Sequence, residues 1–336
     1  MSSPPSQAYF AGRLATGLAD VTSDLTALDS AGWWAVVVTF EGEATCARFD
    51  DVRKVGLPAG SWPGVSLDAW RSSMSRSEYL AAVSAVRDRI ATGEVYQANI
   101  CRLLEAPLPV GSELAGLARL LAAGNPAPYQ GLVDLPGHGV GVVSASPERF
   151  LRRDLNSVSS SPIKGTGRTV SDLTHKDEAE NVMIVDLVRN DLGRVCATGS
   201  VFVSDLLAVE EHPGLVHLVS TVRGELVDGT SWPEIMAAAF PPGSVSGAPK
   251  SSALRVIADL EPTARGAYCG AVGWVDADRR HAELAVGIRT FERSDGMLRF
   301  GTGAGITWGS DPTREWDETQ LKADRLVRVA AERSTA

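Results

Sequence analysis

Five separated blocks of polar residues carry the chemistry that this sequence offers. Ser146-Pro147-Glu148-Arg149 places a carboxylate at a turn between two apolar runs. Pro162-Ile163-Lys164-Gly165-Thr166 places a lysine in a tight loop, where glycine lets the backbone approach a ligand. Asp177 and Glu180 stand three residues apart, and Glu315, Glu318 and Lys322 follow at i, i+3 and i+7, so each set shares one helix face. In the run 282–291, Glu283, Ala285, Gly287 and Arg289 alternate onto one side of an expected strand. Two acidic helix faces that converge would bind a hard divalent cation, since Mg²⁺ takes one or two carboxylates together with waters and a substrate oxygen. Gly301-Thr302-Gly303-Ala304-Gly305 is expected to form a nest of backbone N–H groups for a carboxylate. Arg289 and Lys322 would add fixed positive charge. Together these features describe a Mg²⁺-dependent enzyme acting on a small polycarboxylate.

Other motifs fail on their spacing. The glycine run does not keep the G-x-G-x-x-G register, and no G-x-x-x-x-G-K-[ST] occurs, which argues against a dinucleotide fold or a P-loop. Gly243-Ser244-Val245-Ser246-Gly247 has Val245 at its centre, so it is not a nucleophile elbow. Ser161-Pro162-Ile163-Lys164 satisfies S-x-x-K, but Pro162 makes it a turn and the partner motifs of the penicillin-recognising enzymes are missing.

The elements that must hold these blocks follow from periodicity. Residues 1–30 are small, polar and weakly periodic, and are expected to form a surface segment. Apolar β-branched runs on either side of Glu41-Gly42-Glu43 predict a hairpin over 33–49, and the Pro-, Gly-, Ser- and Trp-rich stretch 51–74 predicts a linker or an irregular crossing. Ser75-x-x-Glu78 has the form of a capping box, and Tyr79, Val83, Val86 and Ile90 mark one helix face, with Gly93 as its stop. A strand over 94–102 puts Gln97 and Asn99 on one face. Two strands over 139–153 surround the Ser146-Pro147 turn, and a helix over 173–191 has an acidic first turn that suits its dipole. Strands are expected at 200–209, 215–227, 267–275, 282–291 and 297–301, and helices at 232–240, 248–260 and 313–333. Strands and helices come in runs without strict alternation, which favours an α+β fold. The division that results is an extension over 1–74, with a short hairpin packed on the core, and a single catalytic unit over 75–336.

Composition agrees with a large globular core. Of 336 residues, 44% are apolar and 22% charged, close to the globular average. The formal charge of −9 argues against a nucleic-acid or anionic-membrane surface, which needs clustered cations. The four cysteines form no CxxC pair, and their scatter suits a reducing cytoplasm. The start, MSSPPSQAYF, lacks the basic and apolar regions of a signal peptide, and no apolar run is long enough for a membrane span.

The blocks SASPERF, PIKGTGR, KDEAENVMIVDLVRNDLGRV, VHLVSTVRGEL, AAFPPGSVSGAPK, AYCGAVGW, AVGIRT, GTGAGI and WDETQLKADRL, in this order from about Ser75 to Arg328, resemble the chorismate-binding enzymes. That family includes component I of anthranilate synthase and of aminodeoxychorismate synthase, and the isochorismate and salicylate synthases. The resemblance implies two large packed mixed or antiparallel β-sheets surrounded by helices. It leans to the aminodeoxychorismate branch, because Lys164 stands where anthranilate synthases usually carry alanine. Gln97 stands where water-adding members carry a lysine base.

Residue by residue, the resemblance implies Lys164 as nucleophile at ring C2, Glu148 as general acid and His217 beside the ring. It implies Glu180 and Glu318 as Mg²⁺ ligands, with Asp177 and Glu315 acting through water. Tyr268, Arg289, Gly303 and Gly305 would hold the enolpyruvyl carboxylate. Ser246 and Gly247 would sit at the ring carboxylate, with Gln97 and Lys322 completing the substrate pocket. It further implies chorismate and ammonia as substrates, a separate glutamine amidotransferase subunit as the ammonia source, and anthranilate synthesis or non-catalytic chorismate binding as the alternatives.

Overall fold

The computed structural model describes residues 5–167, 169–212 and 215–334. The chain runs β1 (Gln7–Phe10), β2 (Arg13–Thr22), β3 (Trp33–Val38), β4 (Ala44–Lys54), β5 (Arg71–Ser72), α1 (Arg76–Ala91), β6 (Gln97–Pro107), α2 (Leu114–Gly124), β7 (Tyr129–Leu135), β8 (Val140–Ser146) and β9 (Arg149–Asp154). It continues with β10 (Ser157–Ser161), β11 (Ile163–Gly167), α3 (His175–Leu192), β12 (Phe202–His212), β13 (Leu215–Glu225), α4 (Trp232–Ala239), α5 (Gly243–Ser246) and β14 (Gly247–Ala248). It ends with α6 (Lys250–Leu260), β15 (Ala271–Asp276), β16 (His281–Val286), β17 (Thr290–Ser294), β18 (Met297–Ile306) and α7 (Pro312–Ala331).

The strands form two antiparallel arms. One runs β2-β4-β3-β15-β16-β9-β10-β13, with β11 beside β10 on one edge of β13 and β12 on the other. The second runs β1-β7-β8-β17-β18-β6, with β5 and β14 on the far edge of β6. β1 also pairs with β2 and so joins the arms. Trp33, Val37 and Phe49 of the first arm share a buried cluster with Phe10, Val133 and Val142 of the second. Helices α3 and α4 pack into a separate cluster with strands β9, β13 and β15, while α2 and α7 cover β7, β8 and β18. The α+β reading holds, and every pairing among the described residues is antiparallel.

The expectation of a surface segment over residues 1–30 is corrected, although residues 1–4 lie outside the described residues. β1 and β2 are paired strands, and Ala8 and Ala15 are fully buried in them. Small side chains fill a tight space between strands here, which composition alone reads as polar surface. The crossing over 51–74 is firmly packed: Trp62 is fully buried, and its Nε1 donates to Ala330 O at 2.8 Å.

Helix α1 begins as its sequence predicts. Ser75 Oγ accepts from Glu78 N at 3.3 Å, and Glu78 Oε2 accepts from Ser75 N at 2.7 Å, closing the capping box. Tyr79, Val83 and Val86 then bury one face against β6, β18 and α6. Ser75→Ala removes one of these partners and is expected to lower stability by about 1 kcal/mol, while Ser75→Asp retains most of it. The urea unfolding midpoint checks this.

Candidate active site

Glu148 sits in the turn between β8 and β9. Ser146 shapes that turn: its Oγ donates to Val286 O at 2.6 Å and accepts from Glu148 N at 3.2 Å. The Glu148 residue is only 4% exposed, and burial pushes its carboxyl up to about 7, against the opposing pull of the Ser244 hydroxyl, Lys164 and the Ile163 N–H.

Lys164 lies on β11, next to a glycine with φ +82° where an added Cβ would stand 2.8 Å from Asp177 Cβ of α3. Its Nζ donates to Ser244 O at 2.9 Å. Burial lowers the lysine pKa, Glu180 and Glu148 oppose that, and Lys322 adds to it. The two shifts point the same way chemically, because each favours the neutral form of its group.

Helices α3 and α7 meet beside this pair. Lys176 Nζ lies 3.5 Å from Glu180 Oε1 and 3.9 Å from Glu315 Oε1, so one ammonium from α3 joins carboxylates of both helices. Lys322 Nζ lies 2.7 Å from Glu318 Oε1 and donates to Gly303 O at 3.0 Å. Burial works against the Glu318 carboxylate, but Lys322, Lys176 and Lys164 together hold its pKa below the ordinary value. Burial raises that of Glu315, against a hydrogen bond from Ser310. Asp177 closes the capping box of α3, with Oδ2 accepting from Thr174 N at 2.8 Å. No group of three or more His, Cys, Asp or Glu side chains forms a metal cage among the described residues. Carboxylates gathered around a shared ammonium nevertheless fit a Mg²⁺ ion, which needs only one or two of them.

On the sheet side, β6 and β18 present Gln97, Asn99, Gly303 and Gly305. The expected nest over 301–305 is corrected: these residues are all in the β18 ladder, paired residue for residue with β6. Their glycines serve close approach, since a Cβ on Gly301 would enter the Tyr268 ring and one on Gly305 would overlap Gln97 Nε2. Gln97 is fully buried, and neither its Nε2 nor its Oε1 has a hydrogen-bond partner. Asn99 Nδ2 donates to Ser244 O at 3.2 Å, while its Oδ1 has no partner. Buried orphans of this kind mark a place where a ligand supplies the missing bonds.

The remaining sequence-predicted residues are spread around this centre. Ser246 is fully buried, and its Oγ donates back to Pro242 O at 3.0 Å. Gly247, at φ +144°, lies so close to the Gln97 carbonyl that no side chain fits. Tyr268 is buried in the core beside Cys101 and Cys269, and burial raises its pKa far above the ordinary value. His217 is buried on β13, in register with Thr166 of β11, two residues from Lys164. The expected strand over 282–291 is corrected, because β16 ends at Val286 and Arg289 takes φ +52° before β17 begins. That bend removes Arg289 from the alternation with Glu283. Its partly buried guanidinium makes no hydrogen bond or ion pair among the described residues, and burial, then Arg325, depress its pKa. A desolvated, unmatched arginine fork is suited to a carboxylate. Lys176 and Ser244 are the functional contacts that motif reading missed; only the i, i+4 spacing of Lys176 and Glu180 signalled the first.

A family model described as chorismate binding enzyme matches residues 43–328. Anthranilate synthase component 1 1 of Haloarcula marismortui is 40% identical over 291 residues, covering 82% of this chain and 58% of the relative. Aminodeoxychorismate synthase component 1 of Salmonella typhimurium is 37% identical over 271 residues, covering 77% of this chain and 59% of the relative. The chain thus spans less than two thirds of the length of these curated relatives. The crystal structure of anthranilate synthase component I from Streptococcus pneumoniae superposes with a TM-score of 0.82 at 22% identity, covering 98% of this chain and 94% of that one, which shows the fold. No helix among the described residues is long and apolar enough to cross a membrane.

Glu148 carries a testable cost. Its folded pKa of about 7 exceeds the ordinary 4.5, so between these values the native state holds a proton that the unfolded chain has released. Stability therefore falls as pH rises through that window. Glu148→Gln is expected to gain about 3 kcal/mol over the wild type at pH near 8 and nothing at pH near 4. Urea unfolding at the two pH values measures the difference.

Proposed function

Because the chain belongs to the chorismate-binding enzyme family, we propose that it aminates chorismate with ammonia to 4-amino-4-deoxychorismate. The observation that carries this reading is the pairing of a partly buried Lys164 amine with a buried Glu148 carboxyl, both biased to their neutral forms. A neutral amine has the lone pair that a nucleophile needs, and a carboxyl near neutrality still holds its proton for a leaving group.

In the first half-reaction the Lys164 nitrogen forms a bond to ring C2, the two ring double bonds shift, and the C4–O bond breaks. Glu148 gives its proton to the departing oxygen, which leaves as water. In the second, ammonia forms a bond to C4, the double bonds shift back, the C2–N bond to Lys164 breaks, and the proton that the added ammonia loses returns to Glu148. The sum exchanges a hydroxyl for an amino group.

Glu180 and Glu318 would hold Mg²⁺, with Asp177 and Glu315 in its water shell. Mg²⁺, when bound, neutralises the ring carboxylate. Arg289 and Tyr268 would hold the enolpyruvyl carboxylate where Gly303 and Gly305 let the substrate approach the sheet. Ser246 and Gly247 would border the ring carboxylate, Gln97 would hydrogen-bond the substrate with its orphaned amide, and His217 would orient the ring. Ammonia would come from a separate glutamine amidotransferase subunit, and the setting would be cytoplasmic.

The curated relatives include anthranilate synthases, and Lys164 supports the 4-amino product over anthranilate. Protein incubated with chorismate, Mg²⁺ and an ammonium salt is expected to yield a non-fluorescent amino product, identified by mass and absorbance. Lys164→Ala is expected to slow it by more than about 100-fold. Fluorescent anthranilate as the product overturns the assignment, and chorismate binding without turnover favours a non-catalytic subunit.

A further inference from the structure

The tip of the amino-terminal hairpin reaches a loop of the catalytic unit. Glu41 lies in the turn between β3 and β4, and Arg265, Gly266 and Ala267 lie in the loop between α6 and β15. Arg265 N donates to Glu41 Oε1 at 2.7 Å, and Gly266 N donates to Glu41 Oε2 at 3.2 Å. Ala267 N donates to Glu292 Oε2 of β17 at 3.1 Å. Two carboxylates, one from each arm of the sheet, thus take three successive N–H groups. Phe40 N grips the same loop from its carbonyl side, donating to Gly266 O at 2.8 Å. Only glycine fits at 266, because φ is +62° and a Cβ would collide with the Glu292 carboxylate.

The clamped loop leads straight into Tyr268 and supports the turn that carries Arg289. Cys269 N donates to Gly287 O at 3.0 Å, and Gly287 N donates to Gly270 O at 2.8 Å. A Cβ on Gly287 would collide with Ala267 O, so the two segments lie in direct contact two residues before Arg289. The Arg265 guanidinium is anchored by other partners. It pairs with Glu261 at 2.6 Å and donates to Val245 O at 2.9 Å and Asn99 O at 3.0 Å. The Lys164 side of the site is therefore held independently of Glu41.

We propose that Glu41 is a positioning residue for chorismate binding, holding the loop that sets Tyr268 and Arg289 where they meet the enolpyruvyl carboxylate. The proposal rests on the roles given above to those two residues. A carboxylate whose two oxygens accept from adjacent N–H groups fixes the course of the backbone between them. Without it, the substrate itself must order Tyr268 and Arg289, and that cost appears as lost affinity. The amino-terminal hairpin then has a share in the site although none of its residues touches substrate. Glu43 provides the contrast: it is exposed on the same turn, and its side chain makes no hydrogen bond or ion pair among the described residues.

Equilibrium dialysis with chorismate, in proteins that also carry Lys164→Ala so that no adduct forms, tests the proposal. Glu41→Ala is expected to raise the Kd about tenfold. Glu41→Gln is expected to raise it too, since an amide oxygen serves one N–H while its NH2 opposes the other, and it carries the test if the alanine variant does not fold. Glu43→Ala is expected to leave the Kd unchanged. With Lys164 intact, Glu41→Ala is expected to raise the KM for chorismate by a similar factor and to leave kcat within about twofold. A Kd unchanged in folded Glu41→Ala protein overturns the proposal, as does an equal rise in Glu43→Ala or a loss confined to kcat. Because dialysis needs no turnover, failure of the amination reading is seen separately, as a raised Kd in a protein whose product is not the 4-amino compound.

Discussion

Desolvation of two opposed ionisable groups is the constraint on which the rest depends. A carboxyl and a lysine brought into one partly buried space would gain most by forming an ion pair, and burial makes both charges costly. Here Glu148 and Lys164 are each biased to neutrality, and the Lys164 amine is held by the Ser244 carbonyl rather than by the carboxyl. The structure is built to hold that separation. The turn before β9 supplies Glu148, β11 supplies Lys164, α5 supplies the carbonyl that Lys164 donates to, and Arg265 and Gly247 lock α5 against β6.

The surrounding charge reconciles an acidic chain with an anionic substrate class. The formal charge is −9, yet Glu180, Glu315 and Glu318 at the site all face lysine ammonium groups. Lys176 joins Glu180 to Glu315 and Lys322 answers Glu318, so the space between α3 and α7 is balanced for a cation and lies beside amines that favour an anion. Arg289 stands apart with an unmatched guanidinium, held off the strand by its positive φ. A dicarboxylate with one end at a cation and the other at an arginine fork suits that distribution.

Much of this was legible from side-chain pattern, and the remainder depends on features that pattern does not encode. The capping box at Ser75 and Glu78, the hairpin around Gly42 and the helix carrying Glu180 are local, so periodicity and cap chemistry reveal them. β1 and β2 escape because Ala8 and Ala15 are buried by strands far away in the chain. The glycines of β18 are recognisable as points of close approach. Their strand conformation is not, because it is imposed by Tyr268, Cys101 and Gln97 filling the places of missing side chains. The bend at Arg289 carries no sequence signal, since arginine seldom adopts a positive φ. Ser244 meets Lys164 through its backbone carbonyl, which every residue has, so no motif could mark it.

Intact-protein and peptide mass spectrometry after mixing the enzyme with chorismate and Mg²⁺ in the absence of ammonia tests the central claim most directly. With no ammonia to complete the exchange, the account predicts an adduct of chorismate less one water on the peptide that carries Lys164, released when ammonium is added. An unmodified Lys164 in protein that aminates chorismate normally once ammonia is supplied would contradict it.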